Sequence, residues 1–523
     1  PDPSVKRKSG LLIPSIGGSS DIGNYAQIPY YFEISPNEDI TFNPLFTTRA
    51  ATVLKGEYRH RIRAGQYRLD GSFARDEIAN TPGSPNREVW RSHLFGEGIF
   101  RLNEVWRYGY EAQLTSDDTY LKRYQISDLD RLRTRAYAEG FAGKNYASLE
   151  AFYFESLRAT DDPGKIPLVH PLGELIWYPQ RKLAGGELRF DANAISLSRS
   201  DGPNTNRLST SASWDRSAVL LGGNLVKTFA NLRADAYYTT NVHPNPDPTL
   251  PQRGGYVSRV VPTVGAEWRW PFVKRGGSYS HVLEPVAQIL YSPYGGNPRD
   301  IPNEDSASFE FDDTNLFSAN RLPGFDLVES GPRANVGIRY ALVGPKGSAV
   351  DLVVGQNLRL RPAKSIFNAA TGFGDRQSDY VGRVRLSLGP YLDVTERFRV
   401  DRHDFSFNRH EVTGRVGTEN YWAKASFLQL SEELPASGLQ RRKEFSGSTR
   451  LKIWDSWYIE GNARRDLANN RMISSGAALV FSNECAEITL QYKRRFTSDR
   501  EIRPSSAITL QIRLKTLGET SNP

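Results

Sequence analysis

The amino-acid sequence predicts an all-β protein, a single large antiparallel transmembrane β-barrel of about 26 strands. Three observations lead there. Apolar and polar residues alternate strictly from one end of the chain to the other, the composition is rich in aromatics and glycine without a long apolar run, and no linker divides the 523 residues into ordinary domains.

The alternation is clearest near the end of the chain. Ala507 to Leu514, AITLQIRL, sets Ile508, Leu510, Ile512 and Leu514 against Thr509, Gln511 and Arg513. Glu487 to Lys493 sets Ile488, Leu490 and Tyr492 against Glu487, Thr489, Gln491 and Lys493. Upstream, Leu188, Phe190, Ala192 and Ala194 alternate with Glu187, Arg189, Asp191 and Asn193, and Leu132, Thr134, Ala136 and Ala138 alternate with Arg131, Arg133, Arg135, Tyr137 and Glu139. A period of two is that of a strand with two unlike faces. The charged faces must meet water, so the apolar faces must meet something else. In a soluble sandwich that would be a second sheet, in domains of about 100 residues separated by linkers, and no such segmentation is visible. Lipid outside and a wet lumen inside satisfy both faces with one closed sheet. Spanning strands of about 9–11 residues with their connections, roughly 20 residues each, give the strand number.

Composition supports this. Hydrophobic residues are 38% and the mean hydropathy is −0.52, with no apolar run near the ~18 residues of a spanning helix, which excludes a helical membrane protein. Aromatics at 11% suit β-structure. Trp106, Tyr108, Tyr110, Trp268, Trp270, Trp454 and Trp457 flank strands, as interfacial girdles do. Sandwich-core or sheet-edge residues are the plainer reading of the same aromatics. Two irregular stretches, Asn241 to Gly255 and Pro293 to Asn315, read as long loops on the outer side. The chain opens in PDPSVKRKSG without a basic then apolar leader, the expectation for a processed or truncated product.

Catalytic and cofactor patterns are missing. No GxxxxGK[ST], HExxH, GxSxG or CxxC spacing occurs, and seven scattered His offer little for a metal or a triad. The expectation is no enzyme, no cofactor and no metal site. The acid-rich Glu304, Asp305, Glu310, Asp312 and Asp313 lack the ligand spacing of a calcium loop and read as a solvated loop. The net charge of +8 suits an anionic ligand without choosing one. Arg59, Arg61 and Arg63, like Arg131, Arg133 and Arg135, recur every second residue on strands, which favours a lumen face over nucleic-acid binding.

Prolines stand where a sheet tolerates them least. Pro14 falls in the first expected strand and Pro29 in the second, beside the place where the first and last strands must pair to close the barrel. Each removes a ladder donor, so the first and last strands meet at a weak seam. Pro36, within Ser35-Pro36-Asn37-Glu38, and Pro44 read as turn or strand-end residues. By themselves the prolines read more simply as residues that blunt sheet edges or mark strand starts.

Several stretches together resemble one family, the outer-membrane lipopolysaccharide-assembly protein. GLLIP (Gly10 to Pro14), Pro29-Tyr30-Tyr31, Ile34-Ser35-Pro36-Asn37 and Asp39 look like its opening strands. Val105-Trp106-Arg107 and Ser116-Asp117-Asp118 with Tyr120, then Leu283-Glu284-Pro285, Gln288 and Tyr291-Ser292-Pro293-Tyr294, resemble its later blocks. Ser482 to Arg494 and Ala507 to Leu514 resemble its end. The resemblance implies an outer-membrane translocon that receives lipopolysaccharide from a periplasmic bridge protein and inserts it into the outer leaflet. The exit is a lateral gate between first and last strands, at Pro14, Pro29, Leu12 and Leu510, and a lipoprotein plug sits in the lumen. A general porin or substrate-specific uptake channel is the alternative. The family opens with a periplasmic jellyroll domain that carries the bridge contact and is missing before Ser9. Residues 1–9 are then a linker from that domain, 10–517 the barrel and 518–523 a tail. Where the family has two adjacent cysteines that pair with the jellyroll region, this chain has Cys485 alone: half of an interdomain or intermolecular disulfide, or a free thiol buried in a strand.

Overall fold

The computed structural model describes residues 8–78, 87–242, 253–307, 309–361, 371–431, 441–498 and 502–515. Successive strands pair antiparallel around one sheet, and the segment Ser15–Ser19 pairs with the last strand, Ser505–Leu514, from Ile16 opposite Leu510 to Ser19 opposite Ala507. The sheet closes on itself. No helix among the described residues is long and apolar enough to cross a membrane.

Among the described residues there are thirty strand segments, more than the 26 expected. The excess has a physical cause, because four crossings are each cut at a proline. Gly10–Leu11 and Ser15–Ser19 flank Pro14, Gly23–Gln27 and Tyr30–Ser35 flank Pro29, Glu38–Phe42 and Leu45–Thr47 flank Pro44, and Arg253–Arg269 and Phe272–Gly276 flank Pro271. Proline offers no backbone donor and holds φ near −65°, so pairing lapses and resumes beyond it. Both halves of the Pro271 crossing still pair with Tyr279–Tyr291.

The pleat places side chains as the alternation requires. Leu208, Leu232, Val260 and Ile289 are exposed on the outer face, while Arg207, Asp235, Arg259 and Gln288, one or three residues away, are buried inside. Leu132 departs from its expected outward place. It is 1% exposed and packs in a cluster with Ile22, Leu45, Val53, Tyr120, Leu121 and Tyr124. Two-residue turns such as Pro36-Asn37, Gly143-Lys144 and Asp455-Ser456 lie at the end where Gly10 and Leu514 sit, hereafter the turn end. The long connections 116–130 and 292–332 lie at the opposite, loop end. Trp106, Trp177, Trp268, Trp270, Trp454 and Trp457 all flank turns at the turn end, forming one girdle, and Trp90 is exposed near the loop end. The hairpin of Asn204–Leu220 and Asn224–Val242, 17 and 19 residues, is longer than a span of about 10 residues needs and projects beyond it.

The connection 292–332 turns inward, and its acids are not solvated as the sequence suggested. Asp305 and Asp326 both meet Arg207 Nη1 at 2.7 Å, and Arg199 meets Glu304 at 2.5 Å. Glu310 and Asp312 meet Arg409, while Asp313 meets Arg383 and Arg397. The arginines stand on the inner wall, and in the narrowed lumen they are desolvated unless paired, so they draw the acids in. Phe325 lies 4.9 and 5.0 Å from the guanidiniums of Arg207 and Arg233, and Phe309, Phe311, Leu316, Leu322, Phe373 and Val381 make a dry cluster beside it. The stretch 243–252, within the other expected loop, lies outside the described residues.

Glu329 sits between the buried Arg321 and Arg333. Glu329→Ala strands two guanidiniums and should destabilise the inward fold of the loop by about 3–5 kcal/mol. New protease cuts within 292–332, in a barrel that keeps its folded gel mobility, are the expected result; wild-type resistance would contradict the role assigned to the pair.

Candidate functional site: the seam between the chain ends

The closing strand Ser505–Leu514 makes ten residue pairs with Ala486–Arg495 on one side and four with Ser15–Ser19 on the other. At roughly 1 kcal/mol net per hydrogen bond, the seam is weaker than its neighbour by several kcal/mol. The four pairs lie toward the loop end. Toward the turn end, Gln511 to Leu514 have no ladder partner in the first strand. Leu510 pairs with Ile16, and Leu12 is not opposite it: Leu12 N–H donates inward, to the Pro29 carbonyl at 2.8 Å.

Pro14 accounts for where the ladder stops. Ser20 N–H donates to Ser506 O at 3.0 Å, and by the period-two alternation the next nitrogens to face the closing strand belong to Gly18, Ile16 and Pro14. The last has no hydrogen to give. The breaks are also aligned. Leu12 N–H reaches Pro29 O, and Ile28 N–H reaches Pro44 O at 3.4 Å, so Pro14, Pro29 and Pro44 form a row across the first three strands. Pro44, which the sequence reads as a turn or strand end, is thus the third member of that row, while Pro36 does lie in a turn. Only the register, a property of pairing, could reveal the row.

Side chains fasten the short ladder. Gly17 lies between Tyr25 and Thr509, opposite both. With no side chain there, the Tyr25 ring passes over Gly17 and its hydroxyl meets Thr509 Oγ1 at 2.6 Å. A Cβ on Gly17 would stand 2.5 Å from Ile508 O and 2.6 Å from the Tyr25 ring. Arg495 reaches Asp21 at 3.3 Å across the same join.

Behind the seam at the loop end lies the segment 116–130, with a short helix, Tyr120–Arg123. Its anchoring was not visible in the sequence. Arg91 meets Asp117 at 2.6 Å and Arg123 meets Asp76 at 2.7 Å. Burial opposes the charge of Asp117, yet the hydrogen bond and charge of Arg91 hold its carboxyl below the ordinary carboxylate range. Burial pushes the Tyr120 hydroxyl up to about 12 and, with the hydrogen bond to Asp76, also raises that of Tyr124, so both stay neutral. Asp70, His93, Ser72 and Tyr120 form a chain, with His93 Nε2 2.9 Å from Asp70, His93 Nδ1 2.6 Å from Ser72 Oγ, and Ser72 Oγ 2.7 Å from Tyr120 OH. The first three have the residue types of a hydrolytic triad, but Ser72 is 4% exposed and capped by the tyrosine, leaving no approach for a carbonyl carbon. The chain secures the helix to the wall.

Cys485 lies in the turn Asn483–Cys485 at the turn end and is exposed, so the buried thiol within a strand does not hold. Asn483 Oδ1 accepts from the backbone of Cys485 and Ala486 and shapes the turn. Residues 1–7 and 516–523 lie outside the described residues, while Ser9 Oγ already accepts from Glu33 N–H at 2.8 Å.

A closed antiparallel sheet with an apolar exterior, a charged interior, short turns at one end and long loops at the other is a bacterial outer-membrane β-barrel. Comparison with known proteins specifies it further. The sequence profile of the LPS transport system D family, LptD, matches residues 90–457, and this chain belongs to that family. LPS-assembly protein LptD of Nitrosococcus oceani is 24% identical over 98% of this chain, that of Escherichia coli K12 24% over 94%, and that of a Polaromonas species 27% over 80%. The chain spans 68%, 65% and 52% of their lengths. Among solved structures, the Serratia marcescens hemophore receptor HasR and the Neisseria meningitidis iron transporter FrpB each match 97% of this chain at 8% identity, covering 80% and 81% of their own chains with TM-scores of 0.32 and 0.35, too low to carry an argument.

Gly17→Ala should force the Tyr25 ring or the closing strand aside, at a cost of about 1–3 kcal/mol. Faster hydrogen exchange of the amides at 507–510, with the rest of the barrel unchanged, is the expected reading. Equal exchange would show that the close approach at Gly17 does not hold the seam.

Proposed function

We propose that this chain is the barrel of an outer-membrane translocon that takes lipopolysaccharide from a periplasmic bridge and inserts it into the outer leaflet through the seam. The supporting observation is the half-length ladder, which pairs four residues at the loop end and none below Ile16. The loop end faces the cell exterior and the turn end the periplasm, as in other barrels of this kind. The sheet edge is therefore unpaired on the side from which the lipid arrives. Its phosphorylated sugars travel in the wet lumen while its acyl chains leave sideways into the membrane, so neither part crosses the phase it is insoluble in. No covalent step is needed. The inward fold of 292–332, held on the wall opposite the seam by Arg207 and Arg259, opposes a freely open porin. A lipoprotein plug would fill the remaining width, and the bridge contact would lie in a jellyroll domain of the full-length protein. Cys485, exposed in its turn, would pair with a cysteine of that domain.

Replacing both Pro14 and Pro29 by valine restores one donor facing the closing strand, at 14, and one facing Leu12 of the first strand, at 29. At about 1 kcal/mol for each restored bond, delivery of lipopolysaccharide to the cell surface should slow roughly fivefold or more, with the barrel still folded. Undiminished delivery would rule out the prolines as the gate.

A further inference from the structure

The two edges of the seam are held very differently. The edge formed by the first three strands is built into a dry cluster: Ile22, Leu45 and Val53 are 2%, 6% and 1% exposed and pack with Tyr120, Leu121 and Tyr124 of the segment 116–130. That segment is fixed to the neighbouring wall by Arg91–Asp117, by Arg123–Asp76 and by the Ser72–Tyr120 bond. Among the described residues, that cluster includes none from the closing strands. Between the same segment and the strands that close the barrel lies a cavity of about 1090 Å³, lined by Gln125, Ser127 and Asp128 on one side and by Arg464, Lys493 and Ser505 on the other. Among the described residues one ion pair spans it, Lys493 to Asp128 at 3.1 Å, with side chains 56% and 70% exposed. An ion pair so exposed contributes little, whereas separating the cluster would expose several apolar side chains at once.

We propose that residues 116–130 form an internal strap that makes the first-strand edge the fixed jamb of the gate, so that the closing strand Ser505–Leu514, with Ala486–Arg495, is the edge that moves. This rests on the reading of the seam as the lipid's exit and adds which side opens. Opening then breaks the four ladder pairs, the Tyr25–Thr509 bond, the Arg495–Asp21 pair and the Lys493–Asp128 pair, and leaves the dry cluster intact. Lys493 and Asp128 act as positioning residues, a catch between strap and moving edge. The cavity is the space into which the strand pair can tilt.

The test uses the full-length protein in outer membranes, in a Cys485→Ser background, with spin labels in two pairs. One pair, at 128 and 493, reports strap against closing edge. The other, at 128 and 24, reports strap against first-strand edge, since Asn24 lies exposed on the segment Gly23–Gln27. During lipopolysaccharide transit the 128–493 distance should lengthen and broaden while the 128–24 distance keeps its resting distribution. A change confined to 128–24, or no change in either while surface delivery measured in the same cells continues, would overturn the proposal. Delivery failing in unlabelled wild type as well would instead sink the transport reading. As a second variant, Lys493→Glu should raise seam opening, read as hydrogen exchange at 507–510, by up to about fivefold, and Asp128→Lys added to it should restore the wild-type rate. An effect of Lys493→Glu that the swap leaves uncorrected would show that the pair is no catch.

Discussion

Everything in this molecule depends on one constraint: a sheet in hydrocarbon cannot leave backbone groups unpaired. The chain meets it by closing its last strand on its first, and meets it only in part, because Pro14 ends the ladder four pairs after it begins. The weakness is localised. From the fourth strand onward the ladders are longer, as in the seventeen pairs between Asn204–Leu220 and Asn224–Val242. A row of prolines across three adjacent strands confines the defect to one side of the seam and to the turn end.

The lumen answers a second constraint, the cost of buried charge. Arginines along the inner wall opposite the seam are paired with acids from an inward loop rather than left to water, and the loop in turn is held by them: Asp326 takes Arg207 and Tyr237 on one oxygen and two backbone N–H groups on the other. That half of the lumen is filled and cross-linked by ion pairs. The half behind the seam is wet, with a cavity bounded by the strap and the closing strands. A filled wall opposite the seam and room behind it are what the proposed lateral exit needs.

The barrel was legible because its signal is local and repeated: alternation in a strand such as Ile508, Leu510 and Ile512 needs no knowledge of partners. Membership of the transport family was legible from short blocks in the same way. What escaped was relational. Pro44 looks like any strand-end proline until the register sets it beside Pro29, and only the register shows that Ile16 stands opposite Leu510 while the Leu12 N–H turns to Pro29 in the second strand. The acids of 304–313 read as solvated because nothing in their own neighbourhood shows the arginines of distant strands that bind them. Ser72 and His93 stand 21 residues apart, a spacing with no motif, and meet Tyr120 only in the folded wall.

The central claim is that the lipid leaves between the first and last strands. Photo-crosslinking residues placed at Leu12 and at Leu510, in cells making the full-length protein, test it most directly. The account predicts capture of lipopolysaccharide at both positions and none at Leu232, which faces outward on the opposite wall. No capture at the seam, or equal capture at Leu232, would contradict it.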